Sequence, residues 1–140
     1  MKIIMGDLPF EKRVLVVEDD EAILGSLKEL LESTGYLTEG FANGREALIY
    51  LQKCSSYPGV ILLDLMMPVM DGYEFMDEKR KDPSLSSIPV VIMSAEGRSK
   101  KDNIPGEIKD YLHKPMDIDV LLEVVDKYFQ NGQVQASPFS

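Results

Sequence analysis

Four apolar runs in this 140-residue chain each end in residues with chemistry to offer. Val14-Leu15-Val16-Val17 leads into Glu18-Asp19-Asp20, and Val60-Ile61-Leu62-Leu63 leads into Asp64. Val90-Val91-Ile92-Met93 ends at Ser94, and Tyr111-Leu112-His113 at Lys114-Pro115. A carboxylate placed just past a buried strand is costly unless something there uses its charge. In a parallel α/β sheet all four ends would lie along one edge, the edge where such sheets bind ligands. Carboxylates, a hydroxyl and a lysine would converge there. That combination suits a phosphoryl group and a magnesium ion: carboxylate oxygens are hard ligands for the ion, and an ammonium is a compact counter-charge for phosphoryl oxygens.

The elements that must position these residues alternate along the chain. Arg13–Val17 reads as a first strand, followed by Ile23, Leu24, Leu27, Leu30 and Leu31 at helical spacing and a stop at Ser33-Thr34-Gly35. Tyr36–Phe41 is short and mixed, an edge-strand candidate. Asn43-Gly44 opens a helix with Ala47, Leu48 and Leu51 on its apolar face. Val60–Leu63 forms the third strand, and Tyr73–Arg80 a helix closed by Asp82-Pro83. Pro89 introduces the fourth strand and Asp110–His113 the fifth. Between them, Pro105-Gly106 interrupts a charged stretch, so the fourth helix is expected to be short or irregular. Asp117 or Asp119 can cap a last helix carrying Val120, Leu121, Val124, Val125, Tyr128 and Phe129. Residues 1–12 read as an extension, 13–129 as the domain, and 130–140 as a flexible polar tail. Alternating strands and helices predict a parallel sheet covered on both faces.

Composition narrows the function. The length is that of one domain with a full core. A net charge of -9 argues against a nucleic-acid-binding surface. Cys54 is the only cysteine, which excludes an internal disulfide and fits a reducing compartment. No apolar run approaches the roughly 20 residues of a membrane span, and Lys2-Ile3-Ile4-Met5 is too short for a signal peptide. A cytosolic protein without membrane contact is expected.

Four site motifs and two scaffold segments, placed along the chain in the family's order, resemble the receiver domain of two-component response regulators. They are the acidic pair in Val16-Val17-Glu18-Asp19-Asp20, the loop Asp64-Leu65-Met66-Met67-Pro68-Val69-Met70-Asp71-Gly72, Ser94-Ala95, Lys114-Pro115, and the scaffold segments Gly35-Tyr36 and Ala42–Leu48. The resemblance covers residues 13–129. It implies a flavodoxin-like, doubly wound five-stranded parallel sheet of order 2-1-3-4-5, an order already known from a member of this same family.

What the resemblance implies for the site is specific. Asp64 is the nucleophile and phosphoacceptor, since a carboxylate can attack phosphorus and form an acyl phosphate. Asp19 binds Mg2+ directly and Glu18 through water, with Asp64 and the Met66 backbone carbonyl as further ligands. Asp20 would begin the loop in solvent. Lys114 compensates phosphoryl charge, Ser94 donates its hydroxyl, and the Ala95 backbone amide donates beside it. A cis bond before Pro115 is implied. Tyr111 stands where the family has its aromatic switch, turning inward as Ser94 moves, so that output is a population shift between two surfaces. The implied partners are a sensor histidine kinase or phosphotransfer protein as donor and a downstream protein target.

Other features read more simply. The methionines at 66, 67, 70 and 76 fill loop and core, and His113 is a strand position with no phosphoryl role. The interval from Ser94 to Lys114 is shorter than is usual in the family, which together with Pro105-Gly106 shortens the fourth-helix region, and Glu107 stands in place of a glycine frequent before the fifth strand. Met66 cannot hydrogen-bond an attacking water and Glu96 adds negative charge, so slow self-dephosphorylation is expected. Two competing functions make different demands on the sequence. A magnesium-dependent phosphohydrolase would carry a second aspartate two residues after the first, where this chain has Met66. A phosphorylation-independent interaction module would lack the acidic pair or Lys114. The expectation is therefore a phosphorylatable switch rather than an enzyme acting on other molecules. Residues after 129 are too few for an effector domain, which leaves a stand-alone receiver or one excised from a longer regulator.

Overall fold

The structure is a computed structural model that describes the backbone of residues 12–94 and 108–136 and the side chains of 12–94 and 110–129. Its elements are β1 (Arg13–Val17), α1 (Glu21–Ser33), β2 (Leu37–Phe41), α2 (Gly44–Lys53), β3 (Val60–Asp64), α3 (Gly72–Lys81), β4 (Val90–Ser94), β5 (Ile108–His113) and α4 (Ile118–Ala136). The strands form one parallel sheet in the order β2-β1-β3-β4-β5, so β2 is an edge, as its mixed composition predicts. The helix expected between the fourth and fifth strands, together with Ala95 and Glu96, lies outside the described residues.

Strand alternation divides the core in two. Leu15, Val17, Ile61, Leu63, Val90 and Ile92 pack with Ala47, Leu48 and Leu51 of α2 and Phe75 and Met76 of α3. Val14, Val16, Val60, Leu62, Val91 and Met93 pack on the other face with Leu27 and Leu31 of α1 and Leu121 and Val125 of α4. Both faces are covered, which is why β1, β3 and β4 read as unbroken apolar runs. The run ends at Glu18, Asp64 and Ser94 are thereby held at one edge by the parallel registers of β1 with β3 and of β3 with β4.

Local chemistry sets the helix ends. The Asp20 carboxylate accepts from the Ala22 and Ile23 amides at 2.9 and 3.1 Å. It therefore caps α1 while remaining exposed to solvent, as expected of a residue just past the acidic pair. Of the three consecutive acids, one holds the helix and two remain for the site. α1 stops in a Schellman turn: the Gly35 amide donates to the Glu32 carbonyl, the Tyr36 amide donates to the Leu31 carbonyl, and Gly35 sits at φ 101°. Asp71 and Glu74 form a capping box on α3. Asp117, not Asp119, accepts from the first amides of α4.

Two expected boundaries move. Tyr36 belongs to the Schellman turn, so β2 begins at Leu37. The segment 130–140, expected as a tail, continues α4 to Ala136. Between Phe129 and Ala136 it carries one glycine and no proline, so nothing removes a backbone donor.

One buried cation stands apart from the site. Lys79, on the inward face of α3, is 0% exposed. Its Nζ donates to the Ser86 carbonyl at 3.0 Å, across the turn that leads to β4.

Candidate functional site

The site lies at the carboxyl ends of β1, β3 and β5. Glu18, Asp19 and Asp64 each place a carboxylate oxygen within 4.8 Å of the others. Glu18 and Asp64 are buried and Asp19 is exposed. Lys114 enters from the end of β5, its Nζ 2.7 Å from Glu18 Oε1 and 3.3 Å from Asp64 Oδ2. Its own backbone amide donates to the Ser94 carbonyl at 2.9 Å, and the Lys114–Pro115 bond is cis. The Asp64 Oδ1 accepts from the Met66 amide at 3.2 Å.

Electrostatics follow from this crowding. Burial pushes the Glu18 carboxyl above its ordinary value, helped by the Asp64 charge and opposed by hydrogen bonds from Lys114 and the Asp20 amide. Burial works to lower the Lys114 ammonium, but the hydrogen bond to Glu18 and the two carboxylate charges outweigh it and hold its pKa above the ordinary value. Three acids facing one ammonium leave the cluster short of positive charge. A hard dication fits that deficit, because the donors are all oxygens. Glu18, Asp19 and Asp64 would hold it.

The loop after Asp64 is tightly built. Met70 donates to the Pro68 carbonyl at 2.7 Å across Val69, which sits at φ 69°. The Gly72 amide donates to the Leu65 carbonyl at 2.9 Å, and a Cβ at Gly72 would lie 2.7 Å from the Leu65 Cα and 2.8 Å from the Asp64 carbonyl oxygen. Gly72 therefore lets α3 begin against the backbone of Asp64 itself. The glycine was visible in the sequence, but its close approach was not.

The remaining expected residues divide as follows. Ser94 is buried at the end of β4, opposite His113 in register. Tyr111 is half-buried against the β3–α3 side of the core, with its ring 6.1 Å from that of His113. Met66 is brought to Asp64 by its amide, with its side chain largely in solvent. Ala95 lies outside the described residues. Glu18, Asp19, Asp64 and Lys114 are the residues that the fold gathers into direct proximity.

A doubly wound sheet with an acidic cluster and a lysine at its carboxyl edge defines a class: α/β proteins that bind their ligands at that edge. The chain belongs to one family within it, the response regulator receiver domain of two-component systems, whose description matches residues 14–126. It is 35% identical over 127 residues to response regulator Rre1 of Synechocystis sp., covering 88% of this chain and 54% of that protein. A Francisella response regulator receiver domain shares 31% identity with a TM-score of 0.76, covering 87% of this chain and 99% of that one. The receiver domain of a signal transduction histidine kinase from Syntrophus aciditrophicus shares 33% identity at the same TM-score, covering 86% and 91%. The chain spans about half the length of the curated relatives it matches. Among the described residues, no helix is long and apolar enough to cross a membrane.

Proposed function

We propose that this chain is a phosphoacceptor switch, taking a phosphoryl group on Asp64 from a phosphohistidine of a sensor kinase or phosphotransfer protein. The observation that carries the reading is the position of Lys114 Nζ, bonded at once to Glu18 and within 3.3 Å of the Asp64 carboxylate. An Asp64 oxygen attacks phosphorus, the phosphorus–nitrogen bond breaks, and the imidazole leaves with its electron pair. Lys114 and the Ser94 hydroxyl would face the phosphoryl oxygens; the Ala95 amide, assigned the same role by the family resemblance, lies outside the described residues. Mg2+ supplies charge neutralisation for those oxygens when bound. Glu18 and Asp19, with the Met66 carbonyl, would complete its ligand set beside Asp64. Met66 offers no hydrogen bond to an attacking water, so the acyl phosphate is long-lived.

Tyr111, half-buried near the end of β5, is the group that relays the change to a protein target. Catalysis serves only the chain's own modification, in the cytosol. The test is intact mass after incubation with Mg2+ and acetyl phosphate. One added phosphoryl group in the parent and none in Asp64→Asn is expected. Addition to both proteins would move the acceptor away from Asp64, and addition to neither, even with a kinase donor, would favour an interaction module that works without phosphorylation.

A further inference from the structure

The loop from Leu65 to Asp71 is held at two places by glycines from different helices. Gly72 of α3 lies against the Asp64 and Leu65 backbone. The second contact comes from across the fold. Gly44, the first residue of α2, donates its amide to the Met70 carbonyl at 3.2 Å. A Cβ there would fall 2.9 Å from that carbonyl oxygen and 3.2 Å from the Phe75 Cβ. Its helix start is fixed by Asn43, whose side chain accepts from the Glu46 amide at 3.0 Å.

Between the two contacts sits Val69, a β-branched residue in left-handed backbone. Such a conformation persists only where its surroundings over-determine it. Pro68 cannot absorb a change in φ. A displacement at Met70 is therefore passed back along a stiff segment toward Met66 and Asp64.

We infer that Gly44 is a positioning residue for the Asp64 loop: its amide and its missing side chain pin Met70, and through the Pro68–Val69 turn they set the Met66 backbone beside the acidic cluster. The inference rests on the proposed reading of that cluster as the metal and phosphoryl site. An added methyl must displace the Met70 carbonyl by roughly half an ångström to reach ordinary contact distance. Its nearest neighbour is that backbone oxygen, followed by the Met70 Cγ at 3.1 Å.

The test uses the whole chain and two readouts. Amide hydrogen exchange in EDTA reports the pin without any metal, and calorimetric Mg2+ titration reports its effect on the site. Gly44→Ala should speed exchange at Met66, Met70 and Gly72 and weaken Mg2+ binding about tenfold, the low end for losing a group that orients a metal ligand. Gly59→Ala is the control for general destabilisation. There a Cβ would meet the Phe129 ring at 2.5 Å, at the opposite edge of the sheet. It should leave both readouts at parental values. If Gly44→Ala does not fold, Asn43→Ala loosens the same helix start without a clash and should move both readouts the same way.

Unchanged loop exchange in the Gly44 or Asn43 variant, or an equal response in Gly59→Ala, overturns the inference. A parent that binds no Mg2+ sinks the reading of the site, while the exchange contrast still decides the pin.

Discussion

Replacing Lys114 with methionine keeps the length of the side chain and removes its charge. In the folded protein the Lys114, Glu18 and Asp64 side chains are 17%, 1% and 7% exposed. These values place the interaction with buried pairs, not with surface pairs worth under about 1 kcal/mol. Two unit charges about 3 Å apart attract by roughly 5 kcal/mol at an effective dielectric near 20. Most of that gross attraction is offset by desolvation, and removing one partner of a buried pair costs a net of about 3 kcal/mol. Lys114→Met should therefore lower unfolding free energy by about 3 kcal/mol in EDTA at pH 7.5.

The deficit should narrow in saturating Mg2+, because the ion supplies the charge that the variant lacks, and by linkage the variant must then bind Mg2+ more tightly than the parent. The pH trend has a definite sign. Without the ammonium the Glu18 carboxyl, already raised, rises further, so the folded state holds a proton that the unfolded chain releases. The variant's stability is then retained at acid pH and falls as pH climbs through the raised folded-state value. Urea denaturation with and without Mg2+ measures all of this. An equal deficit in EDTA and Mg2+, or one below about 1 kcal/mol in EDTA, would refute the electrostatic account and leave Lys114 a packing residue.

Val69 is 70% exposed, so its side chain contributes little burial while its backbone is strained by about 1–2 kcal/mol. Val69→Gly, which removes the Cβ at that φ and gives back part of the gain as chain entropy, should raise stability by about 0.5–1 kcal/mol and the melting temperature by about 2–4 °C, and a drop on calorimetry would argue against the strain. Burial, then hydrogen bonds to Asp126 and Asp110, raise the phenol pKa values of Tyr36 and Tyr128 above the ordinary tyrosine value. Above pH 10 the unfolded chain sheds protons that the fold retains, so stability should fall by about 1.4 kcal/mol per pH unit for each tyrosine. Urea midpoints of the Tyr36→Phe and Tyr128→Phe double variant should lose that slope, and a slope equal to the parent's would contradict it. Met66 is 59% exposed beside Asp64. Met66→Asn, which can orient a water, should shorten the acyl phosphate lifetime about tenfold or more by the usual gain from a positioned polar group; an unchanged decay rate would remove Met66 from the control of lifetime.

The sheet was legible because β1, β3 and β4 are buried on both faces, so each appears as an apolar run with a sharp polar end. The same sharpness exposed Glu18, Asp64 and Ser94. What the residues could not show was the division of labour among neighbours of one kind. Glu18, Asp19 and Asp20 are three acids in a row; the family resemblance set Asp20 apart from the metal-binding pair, but its role as the cap of α1 shows only in the structure. Gly44 and Gly72 look like ordinary helix starts until the loop is seen against them. The end of α4 was misplaced because glutamine and asparagine are common to tails and to exposed helix turns, and nothing in the order of residues separates the two. Lys79, Arg80 and Lys81 likewise look alike in sequence, yet the first is fully enclosed and the last has a side chain 70% exposed.

That difference makes Lys79 a built-in reporter. Amine-acylating reagents will reach Lys81 in the folded protein, since its side chain is exposed and paired at the surface with Glu78, whereas the Lys79 amine meets reagent only when α3 and the turn around Ser86 come apart. The ratio of the two labelling rates is then the equilibrium constant for opening that corner, read by peptide mass without any introduced probe. Because the same corner leads into β4 and Ser94, labelling with and without phosphodonor would weigh, in one measurement, how far modification at Asp64 tightens the structure behind it.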